Sequence, residues 1–329
     1  MDTLPNELEN IIKDYVIFKP KTKDELFKAV NIWCDNKKKV LNMYGHISIW
    51  DTSLITDMSN LFQNKKDFND NINNWDVSNV TNMEDMFRGA SSFNQPLNSW
   101  DVSNVSNMSC MFWGASSFNQ SINSWNVSNV TDMFSMFNRA KSFNQPLDRW
   151  DVSSVTSLES MFMEALVFNQ PLNSWDVSGV TDMCLMFDGA RSFNQPLDLW
   201  DVSSVTDMET MFYDAKSFNQ SLNSWDVSSV NNMGEMFMGA SSFNQSLSLW
   251  DVSSVISMSH MFYKASSFNQ PLNSWDISSV TIMCDMFGDA SSFNQSLNSW
   301  EVSSVVNMKS MFSGATLFDM DNALWYNFS

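Results

Sequence analysis

Apolar and polar residues follow one another along this chain in a pattern that returns every 25 residues. Tryptophan stands at 50, 75, 100, 125, 150, 175, 200, 225, 250, 275, 300 and 325, with no insertion or deletion between copies. A fixed period of about 20–50 residues marks a repeat array. Counting Trp as position 0, apolar residues fall at positions 0, 2, 5, 8, 11, 12, 15, 18 and 22. Two periods are mixed in that set. Trp75 and Val77 alternate with Asp76 and Ser78, the period of a short strand buried on one face. Met83, Met86, Phe87 and Ala90 fall at i, i+3, i+4 and i+7, the stripe of a helix of about two turns. The pattern predicts one short strand and one short helix per copy.

Local signals agree with that division. Thr81 stands three residues before Glu84, the spacing of a reciprocal capping box, and Thr156 with Glu159 and Thr206 with Glu209 repeat it. Gly89, Gly114, Gly189, Gly239 and Gly314 sit where the last helical turn would unwind. The phrase FNQPL or FNQSL follows, with residues suited to a turn. One copy has too little core to stand alone, so copies must stack. The expected fold class is an α/β repeat. It is a right-handed, leucine-rich-repeat-like solenoid of strand–helix coils, rising about 4.8 Å per coil to a length of roughly 50 Å.

The motif W-D-V-S-x-V-T-x-M-x-x-M-F-x-x-A-x-x-F-N-Q-P-L resembles the 25-residue repeat of the BspA-type leucine-rich-repeat surface proteins, a family of mycoplasmas and bacteria with similar arrays in microalgae and giant viruses. The resemblance spans about residues 18–325 and includes the lead-in DELFKAVNIWCDNKKKVLNMYGHISIWDTSLITDMSNLF. It implies a horseshoe or rod serving in adhesion or protein binding, without enzymatic activity.

Residues 1–49 form the expected helical N-terminal cap, 50–325 the eleven repeats and 326–329 a short tail. In the cap, Leu4, Leu8, Ile11, Ile12, Tyr15 and Val16 fall at helical spacing. The phrase LPNELENII within residues 4–16 resembles the opening of an F-box. A second helix is predicted to open at Thr22, with Glu25 three residues later and Leu26, Phe27, Val30 and Trp33 on one face. The run Lys37-Lys38-Lys39 reads as a solvated helix end. The first copy is irregular, with Leu61 for Met, Lys65 for Ala and Asp70 for Gln.

Charge narrows the partners. The net charge is −19, and residues 1–49 hold eight Lys against seven acids, which leaves about −20 on the array. Such a surface repels phosphate backbones and anionic membranes, and it favours basic proteins. The first residues lack the basic start and apolar core of a secretory signal, and no run is long enough to span a membrane, so the expected setting is cytoplasmic, or host cytoplasm for a viral product. Cys184 and Cys284 share a column four coils apart, roughly 19 Å, beyond disulfide reach. With Cys34 and Cys110 they read as free thiols in a reducing compartment, and no Cys/His spacing in sequence points to zinc.

Stacking would turn each position into a column. An acidic ladder runs through Asp76, Asp101, Asp151, Asp176, Asp201, Asp226, Asp251 and Asp276, a candidate to bind a cation or basic ligand, although calcium-binding glycine-rich nonapeptides are absent. Serine recurs two residues later from Ser53 to Ser303, and asparagine recurs from Asn69 to Asn294; both read as backbone partners. Position 13 varies within otherwise copied modules. There Trp113, Met163, Tyr213, Met238 and Tyr263 make a candidate partner-binding stripe of residue types enriched at interfaces.

The sequence thus predicts a non-enzymatic protein-binding scaffold with no cofactor, no metal site and no catalytic group. Its partner is a protein that is basic or carries an apolar patch, with no nucleic acid and no membrane insertion. An exposed C-terminal edge is a candidate for self-association. The alternatives are an F-box-like adaptor whose array selects substrates, and a surface adhesin.

Overall fold

The computed structural model describes residues 17–326, so the F-box-like phrase at 4–16 lies outside the described residues. Two helices precede the array: α1 (Lys23–Asp35) and α2 (Lys37–Tyr44). The Thr22 side chain accepts from the Glu25 N–H, as the capping spacing predicts. Leu26, Ala29, Val30 and Trp33 are buried, whereas Phe27 turns outward at 38% exposure. The three lysines begin α2 instead of ending α1.

The irregular first copy is the cap's docking surface. Asp70 accepts from Trp33 Nε1 at 2.7 Å and pairs with Lys37 at 2.8 Å, which explains its place where later copies have Gln. Lys19 reaches Asp51 at 2.8 Å and Lys23 reaches Asp57 at 3.0 Å. The hydrogen bond from Lys19 holds the Asp51 carboxyl down at about 2.

From Trp50 on, the 25-residue period is realised, but the strand–helix content is not. Among the described residues the array contains no β-strand and no α-helix, only turns, a 3-10 turn at Met320–Asn322 and isolated parallel bridges such as Asp182↔Asp207. The expected leucine-rich-repeat-like α/β solenoid is therefore not what forms, and the handedness rule for strand crossovers has no strands to act on.

The reason lies in two backbone angles per copy. Positions 10 and 14 are left-handed throughout, as at Leu185 (φ 58°) and Gly189 (φ 66°). A helix cannot pass through such residues, so the stretch from position 8 to 15 becomes overlapping three-residue turns. Met186 N–H bonds to Met183 C=O, Asp188 to Leu185 and Ala190 to Phe187. The intervening N–H groups point along the stack: Met183 to Asp207, Leu185 to Glu209, Phe187 to Met211 and Gly189 to Tyr213, at 2.7–3.1 Å. Turn and ladder together satisfy the backbone of this stretch. The i, i+3, i+4, i+7 spacing is real, because positions 8, 11, 12 and 15 do face the core, but turns deliver it. The capping boxes are absent too. Thr81 donates to Thr56 C=O, and the Glu84 N–H bonds to Asn82 Oδ1.

Gly114 tests this conformation. Its φ is +68°, yet an added Cβ would meet nothing nearer than Gly89 Cα at 3.7 Å. Gly114→Ala is expected to destabilise by about 1 kcal/mol from the left-handed backbone alone. In a helix the same change would stabilise by about 1 kcal/mol. Denaturant midpoints at constant slope distinguish the two.

The nine apolar columns of the sequence are the core, with Trp100 at 4% and Val105, Met108, Met111, Phe112, Ala115, Phe118 and Ile122 at 0% exposure. Rings stack from copy to copy. Equivalent Phe rings at position 12 are 5.6 Å apart (Phe187–Phe212), those at position 18 are 6.0 Å apart (Phe193–Phe218), and Trp rings stack in alternate pairs, 6.4 Å apart in Trp200–Trp225. Separation grows away from the hydrogen-bonded ladder, so the copies splay and the ladder lies on the inner side of the bend. From Trp75 on, each indole N–H bonds to a position-22 carbonyl 28 residues back, as Trp200 Nε1 to Leu172 at 2.9 Å.

In the last copy Val302, Val305, Met308, Phe312 and Phe318 are only partly buried. Among the described residues, the N–H groups of Met308, Ser310, Phe312 and Gly314, homologous to the ladder donors, have no backbone acceptor. This is the edge to which the self-association expectation refers.

Candidate functional site

Turn geometry decides which side chains can meet a partner. With positions 8, 11, 12 and 15 in the core, positions 9, 10, 13 and 14 project from the outer side of the ladder. Residue type varies between copies at these positions.

The stripe read from sequence lies here. Met163, Tyr213, Met238 and Tyr263 are half-buried on successive copies, with Asp188 between the first two. Trp113 is separated from them by Asn138, and the Arg88 guanidinium covers it at 3.7 Å from the ring centroid. Tyr263 is also engaged: its ring lies across Gly288, where a Cβ would come within 2.6 Å of Cδ2. The accessible part of the stripe is therefore centred on Asp188 and Tyr213.

A depression of about 370 Å³ opens there, lined by Lys141, Glu164, Leu166, Asp188, Gly189, Arg191, Tyr213 and Asp214. Of its two lining cations, Arg191 is paired at the rim, while exposed Lys141 makes no salt bridge among the described residues. Arg139 bonds to Glu164 at 3.0 Å, and Arg191 to Asp214 at 3.1 Å, with Lys216 at 3.6 Å from the same carboxylate. No salt bridge reaches Asp188 among the described residues. Burial, followed by the charges of Glu164, Asp214 and Glu235, pushes its carboxyl up to about 7, against a smaller downward pull from Arg139. Glu159, on the same face, is raised by burial and by Asp182 and Asp207.

Sequence reasoning placed Asp188 in the varying column but gave it no role. The signal was present at one-copy spacing: Met163 and Tyr213 flank it at position 13, while Glu164 and Asp214 flank Gly189 at position 14.

The acidic ladder lies elsewhere, beside the Trp column on the wide side of the stack. Asp76 Oδ1 accepts from the Ser78 N–H at 3.0 Å and the Ser78 hydroxyl at 2.6 Å, and Asp151, Asp176, Asp201 and Asp226 repeat both bonds. Asp101, Asp251 and Asp276 accept the serine N–H. These bonds hold Asp101, Asp176, Asp201, Asp251 and Asp276 below the ordinary carboxylate range. At the Trp spacing, like charges in water repel by only about 0.6 kcal/mol before salt screening. One oxygen of each carboxylate is thus committed to closing a turn.

The asparagine column is equally local. Asn169 Oδ1 takes the Asn194 N–H at 2.9 Å and Gln195 Nε2 at 3.1 Å. The four cysteines are free. Burial pushes the Cys34 thiol up to about 11 and the Cys110 thiol up to about 12, the latter with help from Asp85, so neither is an activated nucleophile.

These features define a tandem 25-residue repeat protein with a repeating apolar core and a variable face. The family described as "Mycoplasma protein of unknown function, DUF285" matches residues 31–150, 142–250 and 214–325, and the chain belongs to that family. No curated protein matches it. A solved structure described as "Crystal structure of TLR13-ssRNA13 complex" aligns over 92% of this chain and 52% of that one, at 10% identity and a TM-score of 0.19. The chain spans about half the length of that structure, and so low a score carries no argument about fold or ligand. No helix among the described residues is long and apolar enough to cross a membrane.

Proposed function

We propose that this repeat protein is a non-enzymatic scaffold that binds a basic protein segment, with a lysine or arginine of the partner seated at Asp188. The observation that carries the reading is Asp188 itself: a half-buried carboxyl between Met163 and Tyr213 with no salt bridge of its own among the described residues, beside Glu164 and Asp214, which hold Arg139 and Arg191. A partner's cation would pair with the Asp188 carboxylate, and the aromatic and thioether neighbours would cover its aliphatic stem. The resemblance to BspA-type arrays, which serve in adhesion and protein binding, supports the same class of function. The unpaired cysteines suit a reducing setting and support a cytoplasmic one.

Fluorescence anisotropy with labelled oligolysine tests this on the full chain at low salt and mildly alkaline pH. Binding is expected to exceed that of a neutral peptide and to weaken about fivefold in Asp188→Asn, equivalent to roughly 1 kcal/mol. Tyr213→Ser is expected to weaken it as well. Equal affinity in wild type and both variants would remove this face from consideration.

A further inference from the structure

We propose that His260, Cys284 and Asp285 form a binding site for a thiophilic divalent cation, with zinc the best match to their donor set. An imidazole nitrogen, a thiol sulfur and a carboxylate oxygen from these residues all lie within 4.8 Å of one another. His260 Nε2 is 3.6 Å from Asp285 Oδ2. Tetrahedral zinc with bonds of about 2.0–2.3 Å holds its donors about 3.3–3.6 Å apart, so only small side-chain movements are needed to close the set.

The backbone fixes the constellation. His260 and Asp285 occupy position 10 of adjacent copies and are both left-handed, with φ of 53° and 51°. The His260 N–H bonds to Cys284 C=O at 2.9 Å, so the rung that joins the copies also sets imidazole beside thiol. The imidazole is braced edge-on by Tyr263 at 5.7 Å. Its Nδ1 is buried without a hydrogen-bond partner, leaving the ring under-satisfied on one side.

The array holds a single histidine, and it falls against a cysteine. Sequence spacing hid this, because the two residues are 24 apart and meet only through stacking. Nitrogen and sulfur donors select zinc or a similar borderline ion over calcium or magnesium, which take oxygen. On coordination the Cys284 thiol proton leaves to solvent. The site is separate from the Asp188 depression, and neither reading depends on the other.

Cobalt(II) titration of the full chain tests the proposal, since a thiolate ligand gives a near-ultraviolet charge-transfer band. The wild type is expected to show the band, to lose it on addition of zinc, and to melt at a higher temperature with zinc than without. Cys284→Ser should abolish the band. His260→Asn, chosen because asparagine tolerates the left-handed backbone, should weaken cobalt binding more than about tenfold. Cys184→Ser is the internal control and should keep the band, because its neighbours Glu159 and Asp182 bring no nitrogen donor. Metal-free melting curves matching wild type confirm that each variant folds. Absence of a band in the wild type, its survival in Cys284→Ser, or its loss in Cys184→Ser would each overturn the assignment.

Discussion

Phe187→Ala is expected to cost about 4–5 kcal/mol, the upper end of the range for removing a buried aromatic ring. Phe187 is fully buried and touches rings on every side: Phe162 at 5.7 Å, Phe212 at 5.6 Å, Phe193 at 4.1 Å and Trp200 at 6.5 Å. A large penalty follows when the walls of a cavity cannot close, and here they are pinned. The Phe162 N–H bonds to Met186 C=O and the Phe187 N–H to Met211 C=O, both at 2.9 Å, so the copies above and below keep their distance. Phe312→Ala supplies the comparison. That ring stacks on Phe287 at 5.8 Å but is partly exposed, so its loss should cost about half as much. Urea denaturation followed by tryptophan fluorescence checks both. In a stack held by nearest-neighbour contacts, Phe187→Ala is also expected to split unfolding into two steps. Equal costs at the two sites would mean that the interior copies relax as freely as the last one.

The core was legible because burial depends only on which positions are apolar, and a strict period removes every ambiguity of register. The column of buried tryptophans from Trp50 to Trp300 follows without reference to backbone conformation. Secondary structure was not legible, because two conformations give the same inward face. A helix from Met83 to Ala90 and a run of turns through Asp85 (φ 56°) and Gly89 (φ 68°) both bury Met83, Met86, Phe87 and Ala90. The glycines at position 14 were a hint, yet a helix end also takes glycine. The non-glycine residues at position 10, from Asp85 and Cys110 to Leu185 and His260, gave no hint at all. They tolerate the left-handed region only because ladder bonds on both sides over-determine it.

The same limit applies to the site. The varying stripe could be found by comparing copies, since repetition shows where a side chain is free to differ. What a column cannot show is which members are covered. Arg88 over Trp113, and the Tyr263 ring lying across Gly288, are contacts between neighbouring copies. Sequence reasoning singled out the aromatic residues and methionines of the stripe, while the structure directs attention to the carboxyl between Met163 and Tyr213.

That carboxyl should give the array an inverted pH response. Asp188 is raised from its ordinary 3.8 to about 7, so between those values the folded chain holds a proton that the unfolded chain has released. The stability linked to this group is therefore greatest in acid and is lost as pH rises through about 7. Asp188→Asn carries no such charge. Its advantage over wild type is expected to be near zero at about pH 4, to grow through the interval and to level off above about pH 7. Discounted for partial solvent screening, the plateau is on the order of 1–2 kcal/mol. Asp176→Asn should show the opposite trend. The bonds from Ser178 lower the Asp176 carboxyl, so its contribution is present at neutral pH and disappears as acid protonates it. Urea midpoints give the slopes, between about pH 4 and 7 for Asp188→Asn and below about pH 4 for Asp176→Asn, and a flat difference for Asp188→Asn would show that its carboxyl titrates normally. The same proton links stability to binding. If a partner's cation sits at Asp188, oligolysine affinity must fall as pH drops below about 7 in the wild type and stay level in Asp188→Asn, because only the ionised carboxylate attracts the cation while only the protonated one is at ease in its surroundings.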